Sequence, residues 1–381
     1  MKTFACQACA QPVYFESARC PHCGATLGFL PDELRLSALR EDEDGLWTPH
    51  RPTPKLYRPG FLERLFGARP QVPTDADTGT RYRRCANGER HNVCNWMVPA
   101  DSDETWCPAC RTNRTIPNLA RPGNLERWQR IECGKRRLVY SLMRLGLPLP
   151  NRQDDPERGL AFDFLSSRDM PYGQPVATGY ANGLVTLNID EADPAGGERR
   201  RVDIAATTRT QVGRFRYEIG HYYWDRLIRD GDRLEEFRTR FGDEREDHAA
   251  ALDAHDRNGP PADWQERYIV AHASSHPRED WAETWAHYLH IVDTLETAAQ
   301  FGIEAQRRLP DGTLQCADLA LDPYVVADFA PIADNWPPIA FALDSLNRSL
   351  GQQDLYPFAL SPAAIDKLAY VHRTIRETAA R

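Results

Sequence analysis

Two Cys-x-x-Cys pairs near the N-terminus constrain this chain more than any other feature of its sequence. Cys6 and Cys9 form the first pair, and Cys20 and Cys23 form the second pair ten residues later. Four thiolates at this spacing can surround one tetrahedral Zn²⁺ ion, with Zn–S bonds of about 2.3 Å. Because so short a segment cannot bury a hydrophobic core, the ion has to hold the fold together. We therefore predict a zinc ribbon over residues 1–26.

A second cysteine set follows after a segment of different composition. Residues 27–80 are rich in proline, glycine and charge, which predicts a linker. Residues 81–117 then contain one complete Cys-x-x-Cys pair and two cysteines that eight residues separate: Cys85, Cys94, Cys107 and Cys110. We interpret this set as a second structural zinc site, although the wide spacing of its first half makes the signal weaker than that of the ribbon.

The apolar content and the number of cysteines predict the cellular location of the protein. No stretch approaches 18 apolar residues and the N-terminus has no apolar run, so neither a membrane span nor a secretory signal is predicted. Ten cysteines without such a signal favour a cytoplasmic location, where paired cysteines usually bind metal. Cys133 and Cys316 lie outside both sets, and we expect them to be buried thiols.

Nucleic acid is not an expected partner. Trp96, Trp106 and several arginines lie in or beside the second cysteine set: Arg81, Arg83, Arg84, Arg111 and Arg114. Such a patch could contact nucleic acid. The alternative is a solvated basic face that pairs with the carboxylates of the protein itself, and the net charge of −8 favours this alternative.

From residue 118 onward the sequence predicts an α+β domain that is mostly α. Five segments have the apolar spacing of helices: 124–146, 211–230, 278–300, 341–350 and 361–379. The β-branched and apolar run 183–190 predicts a strand. The expected organisation is thus two small zinc modules followed by one larger domain over residues 118–381.

One of the predicted helices contains half of a zinc-peptidase motif. In His-Glu-x-x-His, the two histidines share a helix face and bind zinc, while the glutamate activates the bound water. Here Glu218 and His221 occupy the second and last positions, and Tyr217 stands where the first histidine belongs. Taken alone, a glutamate and a histidine three residues apart are more often an ordinary helix pair.

A further ligand would have to come from another segment. The helix predicted over 278–300 offers Glu279, Glu283 and His287, with His290 as an alternative, on or near one face. Such a face can give one carboxylate to a metal and another to orient a ligand histidine.

At this point the chain resembles a family of bacterial zinc-binding metallopeptidases with an N-terminal zinc ribbon and a His-Glu-Ile-Gly-His zincin domain. The resemblance covers nearly the whole chain and rests on these segments: 6–23, 81–87, 94–96, 113–117, 183–188, 218–224 and 275–287. It implies a zincin-like fold, peptide-bond hydrolysis by metal-activated water, and a peptide or protein substrate. It also implies that strand 183–190 is the sheet edge along which an extended peptide binds.

The resemblance also implies a role for each residue of the half-motif. Glu218 would be the general base, and His221 and Glu279 would be zinc ligands. Glu283 and His287 would support these ligands without binding the ion. The chain departs from the family pattern at Tyr217, because a phenol reaches farther than an imidazole and must lose a proton to bind zinc well.

This departure leaves three hypotheses open. The first is an active zinc peptidase in which His221, Glu279 and either Tyr217 or a nearby histidine bind a third, catalytic ion. The second is a protein of peptidase origin that has lost this ion and binds a peptide or protein. The third is an adaptor protein that is stabilised by its two structural zinc ions and does not use the inherited site. We expect weak zinc binding at this site, and Tyr180 is a candidate for a second replaced histidine.

Overall fold

The computed structural model describes residues 1–50, 79–192, 210–354, 356 and 360–380. These residues divide into two compact units, one comprising Thr3–Cys110 and the other Met1–Lys2 together with Arg111–Arg381. Most of the predicted linker, residues 51–78, lies outside the described residues. The four domain boundaries given by the sequence remain a prediction.

The described residues of the unit Thr3–Cys110 form two small antiparallel sheets and one short helix. Strands β1 (Phe4–Ala5) and β2 (Pro12–Val13) form a two-stranded sheet. Five further strands pair in chain order in an antiparallel sheet: β3 (Thr26–Leu30), β4 (Arg35–Glu41), β5 (Trp47–Pro49), β6 (Tyr82–Arg84) and β7 (Met97–Pro99). Helix α1 (Ala86–His91) lies between β6 and β7 in the sequence.

Strands β3, β4 and β5 lie mostly within the segment that its composition predicted as a linker. Their inward side chains are apolar and buried, among them Leu27, Phe29 and Leu36. The Phe29 and Trp96 rings pack with their centroids 4.6 Å apart. The prolines that suggested a linker are concentrated after residue 51, so a composition averaged over 27–80 concealed the buried strand segments before them.

The second unit contains a four-stranded mixed sheet with the strand order β10-β11-β9-β8. Its strands are β8 (Asn113–Thr115), β9 (Ala161–Leu165), β10 (Gly179–Ala181) and β11 (Leu184–Asn188), and a separate hairpin joins β12 (Gln306–Arg308) to β13 (Leu314–Cys316). Strand β11 corresponds to the strand predicted over 183–190, but it lies between β10 and β9. The expectation that it forms the sheet edge is therefore wrong, because the short strand β10 covers it.

Helices make up most of the second unit. Their bounds are α2 (Asn124–Arg144), α3 (Gln211–Tyr223), α4 (Leu234–Phe241), α5 (His248–Asn258), α6 (Trp264–Arg267), α7 (Pro277–Gln300), α8 (Ala330–Ser349) and α9 (Pro362–Ala379). A π-helical segment, Trp224–Arg229, continues α3. The predicted fold class, an α+β chain that is mostly α, is confirmed.

Helix α7 is the centre of the core of this unit. Most of its residues are buried, including Trp281 and Trp285. The Trp285 ring stacks on that of Tyr223 at 4.8 Å between centroids, which fixes the end of α3 against α7. Because both helices are held by large aromatic side chains, the polar residues on their facing surfaces have well-defined positions.

Two smaller expectations can also be compared with the structure. Among the described residues, no helix is long and apolar enough to cross a bilayer. Cys133 is half-buried and Cys316 is exposed, so the expectation that both are buried thiols is wrong. Cys316 is the last residue of the hairpin strand β13, where a short two-stranded sheet leaves its side chain in solvent.

Candidate metal sites

The four cysteines of the predicted ribbon converge around one point. The Sγ atoms of Cys6 and Cys23 are 3.7 Å apart, and those of Cys9 and Cys20 are 3.6 Å apart. Four thiolates around a tetrahedral Zn²⁺ ion would be separated by about 3.8 Å. Gly24 follows the second pair with a φ of 76°, a turn conformation that glycine adopts without strain. The donor set and its spacing fit a zinc ion.

The second cysteine set also converges, and α1 explains how. This helix spans the gap between Cys85 and Cys94, so its ends bring the two thiols to the same place. The Sγ atoms of Cys94 and Cys107 are 3.7 Å apart, and the Cys107 amide donates to the Cys85 sulfur at 3.4 Å. All four ligand atoms, including that of Cys110, lie within 4.8 Å of one another. This buried quartet likewise fits a structural zinc ion.

The half-motif lies where α3 and α7 approach most closely. A Cβ atom on Gly220 would be 2.9 Å from the Cα atom of Ala282, so glycine is needed at this crossing. The indole N–H of Trp281 donates to the Gly220 carbonyl oxygen at 2.9 Å. Because His221 follows Gly220 directly, the close approach places its ring next to the N-terminal turn of α7.

Glu279, in this first turn, is the residue on which the polar side chains converge. Its Oε1 atom lies 2.7 Å from His248 Nε2 and 3.8 Å from His221 Nε2. Its Oε2 atom accepts a hydrogen bond from the Tyr217 hydroxyl group and lies 3.3 Å from His272 Nε2. The sequence expectation that His221 and Glu279 lie close together agrees with these distances, whereas their role as ligands stays a prediction.

Burial controls the protonation of this cluster. It lowers the pKa of His221 to about 3, with Arg278 nearby acting in the same direction. Burial also raises the pKa of Glu279 to about 7. Burial lowers the pKa of His248 and His272 as well, and neutral imidazole is the form that binds metal.

Glu218 and Tyr217 lie side by side on α3 in different surroundings. Burial raises the pKa of Glu218 to about 7, although Arg214 opposes the shift with an Nη1–Oε1 distance of 3.9 Å. The Tyr217 hydroxyl group lies 3.3 Å from His272 Nε2, besides its hydrogen bond to Glu279. Tyr217 thus directs its oxygen into the polar cluster, as a replacement for a ligand would.

Tyr180, the other suspected replacement, lies on strand β10. Its ring stacks beside the His221 ring at 6.2 Å between centroids. Its hydroxyl group donates to Asp225 at 2.6 Å and accepts from the Gly183 amide at 2.9 Å. Tyr180 therefore contacts the site through its ring, while its oxygen is engaged in the turn to β11.

The two residues expected to support the ligands behave differently. Glu283 is buried one turn after Glu279, its Oε2 atom has no hydrogen-bond partner in the described part of the chain, and burial raises its pKa to about 8. His287 is also buried but donates to or accepts from the Tyr356 hydroxyl group. Its expected role in supporting the ligands stays a prediction.

Sequence reasoning missed His248 and His272. Neither residue belongs to the half-motif: His248 begins α5, and His272 lies in a 3₁₀ turn, Ala271–Ser274. The only sequence signal for them was the clustering of histidines, because four of the chain's 11 histidines fall within residues 248–276. Periodicity could not show that this segment folds back onto α7.

The histidine and glutamate cluster is looser than the two cysteine sites. Within the described ranges, the cysteine quartets are the groups in which three or more possible ligand atoms lie within 4.8 Å of one another. Ligands of one tetrahedral ion with bonds of about 2.0–2.1 Å would be only about 3.4 Å apart. The imidazole and carboxylate donors suit Zn²⁺ chemically, but their rings have to move closer to bind it.

The half-motif on α3 thus faces the buried Glu279 on α7, as the resemblance seen in the sequence implies. The chain belongs to the family described as putative zinc-binding metallo-peptidase, whose model matches residues 124–374. A zinc-ribbon domain model matches residues 3–60 and 67–121. The resemblance seen in the sequence is thereby confirmed.

Curated relatives come from mycobacteria. The uncharacterized protein Rv2568c of Mycobacterium tuberculosis is 36% identical over 380 residues, which is 100% of this chain and 96% of the relative. The uncharacterized protein Mb2598c of Mycobacterium bovis matches with the same identity and coverage. No solved structure matches significantly.

Proposed function

We propose that the domain matched over residues 124–374 is a zinc-dependent hydrolase of peptide bonds. The observation that carries the proposal is the 3.8 Å distance between His221 Nε2 and Glu279 Oε1, because these residues are 58 positions apart in the sequence and lie on two different helices. A separation in this range allows both atoms to contact one ion after a small rotation of their side chains.

In this proposal, two residues bind the metal and a third transfers the proton. His221 and Glu279 would hold the ion, which supplies a bound water of lowered pKa and polarises the substrate carbonyl group. Glu218, three residues before His221 on α3, would accept the proton of that water and pass it to the leaving nitrogen. Its buried position removes competing solvent from this proton transfer.

The proposed substrate position is along strand β10. Among the described strands, β10 forms one edge of the four-stranded sheet, and its Tyr180 ring lies against His221. An extended peptide can add to a sheet edge through main-chain hydrogen bonds. A peptide bound there would lie beside the proposed metal ligands, which supports a peptide or protein substrate, and we propose no role for nucleic acid.

Tyr217 limits how well this site can work. A phenol with a pKa near 10 has to lose its proton before it binds zinc strongly. If Tyr217 is the only third ligand, the ion is held weakly and hydrolysis is weak or absent. The eight cysteines of the other two sites must be thiolates to bind zinc, and we therefore propose a reducing, cytoplasmic location for the protein.

A second candidate function is a peptide-binding protein that has lost the catalytic ion. The hydrogen bond from the Tyr217 hydroxyl group to Glu279 favours it, because this bond satisfies the carboxylate without any metal. Such a protein would keep its two structural zinc ions and bind the same extended peptides along β10 without cleaving them.

Metal analysis and a cleavage assay on the same preparations separate these candidates. An active site predicts about three zinc ions per chain, a loss of one ion in His221→Ala, and cleavage of a mixed peptide pool. Glu218→Gln should keep the third ion but abolish cleavage, since it removes the base and leaves the ligands. Two ions per chain with no cleavage would reject the hydrolase and favour the peptide-binding protein.

A further inference from the structure

The surroundings of Glu279 are unusual for a buried carboxylate. The residue is only 3% exposed, and the nitrogen atoms nearest to its oxygens belong to three imidazoles: His221, His248 and His272. No lysine or arginine in the described part of the chain pairs with it. A buried carboxylate usually pairs with a cation or binds a metal, because its charge is poorly solvated.

Other buried acids in the same unit do have fixed cationic partners. Asp280, the next residue, pairs with Lys367 at 2.6 Å, and Glu132 pairs with Lys135 at 3.0 Å. Glu296 similarly pairs with Arg144 at 2.9 Å. Glu283, one turn after Glu279, likewise has no cationic partner among the residues that the structure describes. Two uncompensated carboxylates on one turn of helix, with imidazoles around the first, form a set of donors typical of a metal centre.

The positions of His248 and His272 allow them to act as ligands. Both direct Nε2 towards Glu279, at 2.7 Å and 3.3 Å from its two oxygens. Their side chains are 43% and 36% exposed, so the rings have room to rotate towards a common ion. The Asp247 side chain caps α5 by accepting from the Ala250 amide at 3.0 Å, which holds the backbone of His248 in place during such a rotation.

We propose that His248 and His272 replace the imidazole missing at Tyr217, and that with His221 and Glu279 they bind a divalent cation of the zinc type. In this arrangement Tyr217 stays a neutral phenol that donates to Glu279 and is not a ligand. His272 is the direct substitute, because its Nε2 atom and the Tyr217 hydroxyl oxygen, 3.3 Å apart, both contact Oε2 of Glu279. The inference rests on the proposed metallopeptidase site, but it concerns the ligands and not the turnover.

The test measures metal on the full-length protein, with zinc stoichiometry and with the visible spectrum of Co²⁺ as a probe. We expect about three ions per chain in the natural protein and in Tyr217→Phe, and about two in the double variant His248→Ala/His272→Ala. Adding Tyr217→His to the double variant should restore the third ion. His255→Gln is the matched control, since His255 lies beside His272 and bonds to the Ala271 carbonyl group, not to Glu279. This control should keep three ions.

The possible results distinguish an error in the ligand assignment from an error in the proposed hydrolase activity. Retention of three ions by the double variant, or loss of one ion in Tyr217→Phe, would overturn the inference while leaving a metal-dependent hydrolase intact. A natural protein that holds two ions and gains a third only in Tyr217→His would also overturn it. Loss of the third ion in the double variant, as expected, but no peptide cleavage by the natural protein would support the inference and reject the hydrolase. Unchanged helical circular dichroism and two retained cysteine-bound ions show that each variant has folded.

Discussion

The crossing of α3 and α7 at Gly220 offers a direct test of how the packing builds the site. In Gly220→Ala, the added Cβ atom would lie 2.9 Å from Ala282 Cα and 3.3 Å from Trp285 Cβ. Carbon atoms in good contact are about 3.5–4.0 Å apart, so the helices would have to separate by roughly 0.6–1.1 Å. Overpacking of this kind costs about 1–3 kcal/mol.

A matched variant removes the intrinsic effect of glycine on helix stability. Gly134 in α2 is also a buried helical glycine, but a Cβ atom there would be 3.4 Å from the Phe215 ring, an ordinary contact. Replacing either glycine by alanine should gain about 0.5–1 kcal/mol from the unfolded state. The difference between the two variants therefore isolates the overpacking term, about 1–3 kcal/mol in favour of Gly134→Ala.

Urea unfolding of the two variants, followed by the helical circular dichroism signal, measures this difference. The same displacement moves His221 away from Glu279, so Gly220→Ala should also retain less of the third metal ion while both cysteine-bound ions remain. Equal stability of the two variants would refute the argument that the Gly220 contact limits the approach of the helices.

Two further predictions concern other parts of the chain. Cys20→Ser should lower the zinc content by one ion and unfold residues 1–26 while most of the helical signal remains, as measured by metal analysis and proteolysis; unchanged stoichiometry would contradict the assignment. Lys367→Met should destabilise the fold by about 3–5 kcal/mol, because it leaves Asp280 buried without its cation. Burial raises the pKa of Asp280 to about 7 even though Lys367 lowers it, so the loss of Lys367 should raise this pKa further. The cost of Lys367→Met should therefore grow as pH rises above about 7, where Asp280 is ionised in the natural protein, and a cost independent of pH there in chemical unfolding would count against this explanation.

The sequence alone determined the features that depend on local spacing. The Cys6–Cys23 spacing is enough to predict a ribbon, because a tetrahedral ion imposes its geometry on any chain that supplies two Cys-x-x-Cys turns. The apolar periodicity likewise located helices such as α2 and α7 to within a few residues. The half-motif at 217–221 located its helix, while the departure from the family pattern at Tyr217 stays a prediction.

The tertiary structure decided what depends on contacts between distant segments. Whether strand β11 is an edge or an interior strand depends on β10, which is only three residues long and has no clear sequence pattern. Strands β3 to β5 were hidden because a composition averaged over 27–80 mixed them with a proline-rich stretch.

The ligand candidates around Glu279 show most clearly which features the sequence predicts and which depend on the tertiary structure. His221 and Glu279 could be proposed from the sequence, since each belongs to a helical pattern. His248 and His272 could not, because they lie in a helix start and a turn, and only the folding of residues 248–276 against α7 brings them to the carboxylate. Local spacing fixes which residues share a helix face, whereas the packing of helices fixes which faces meet.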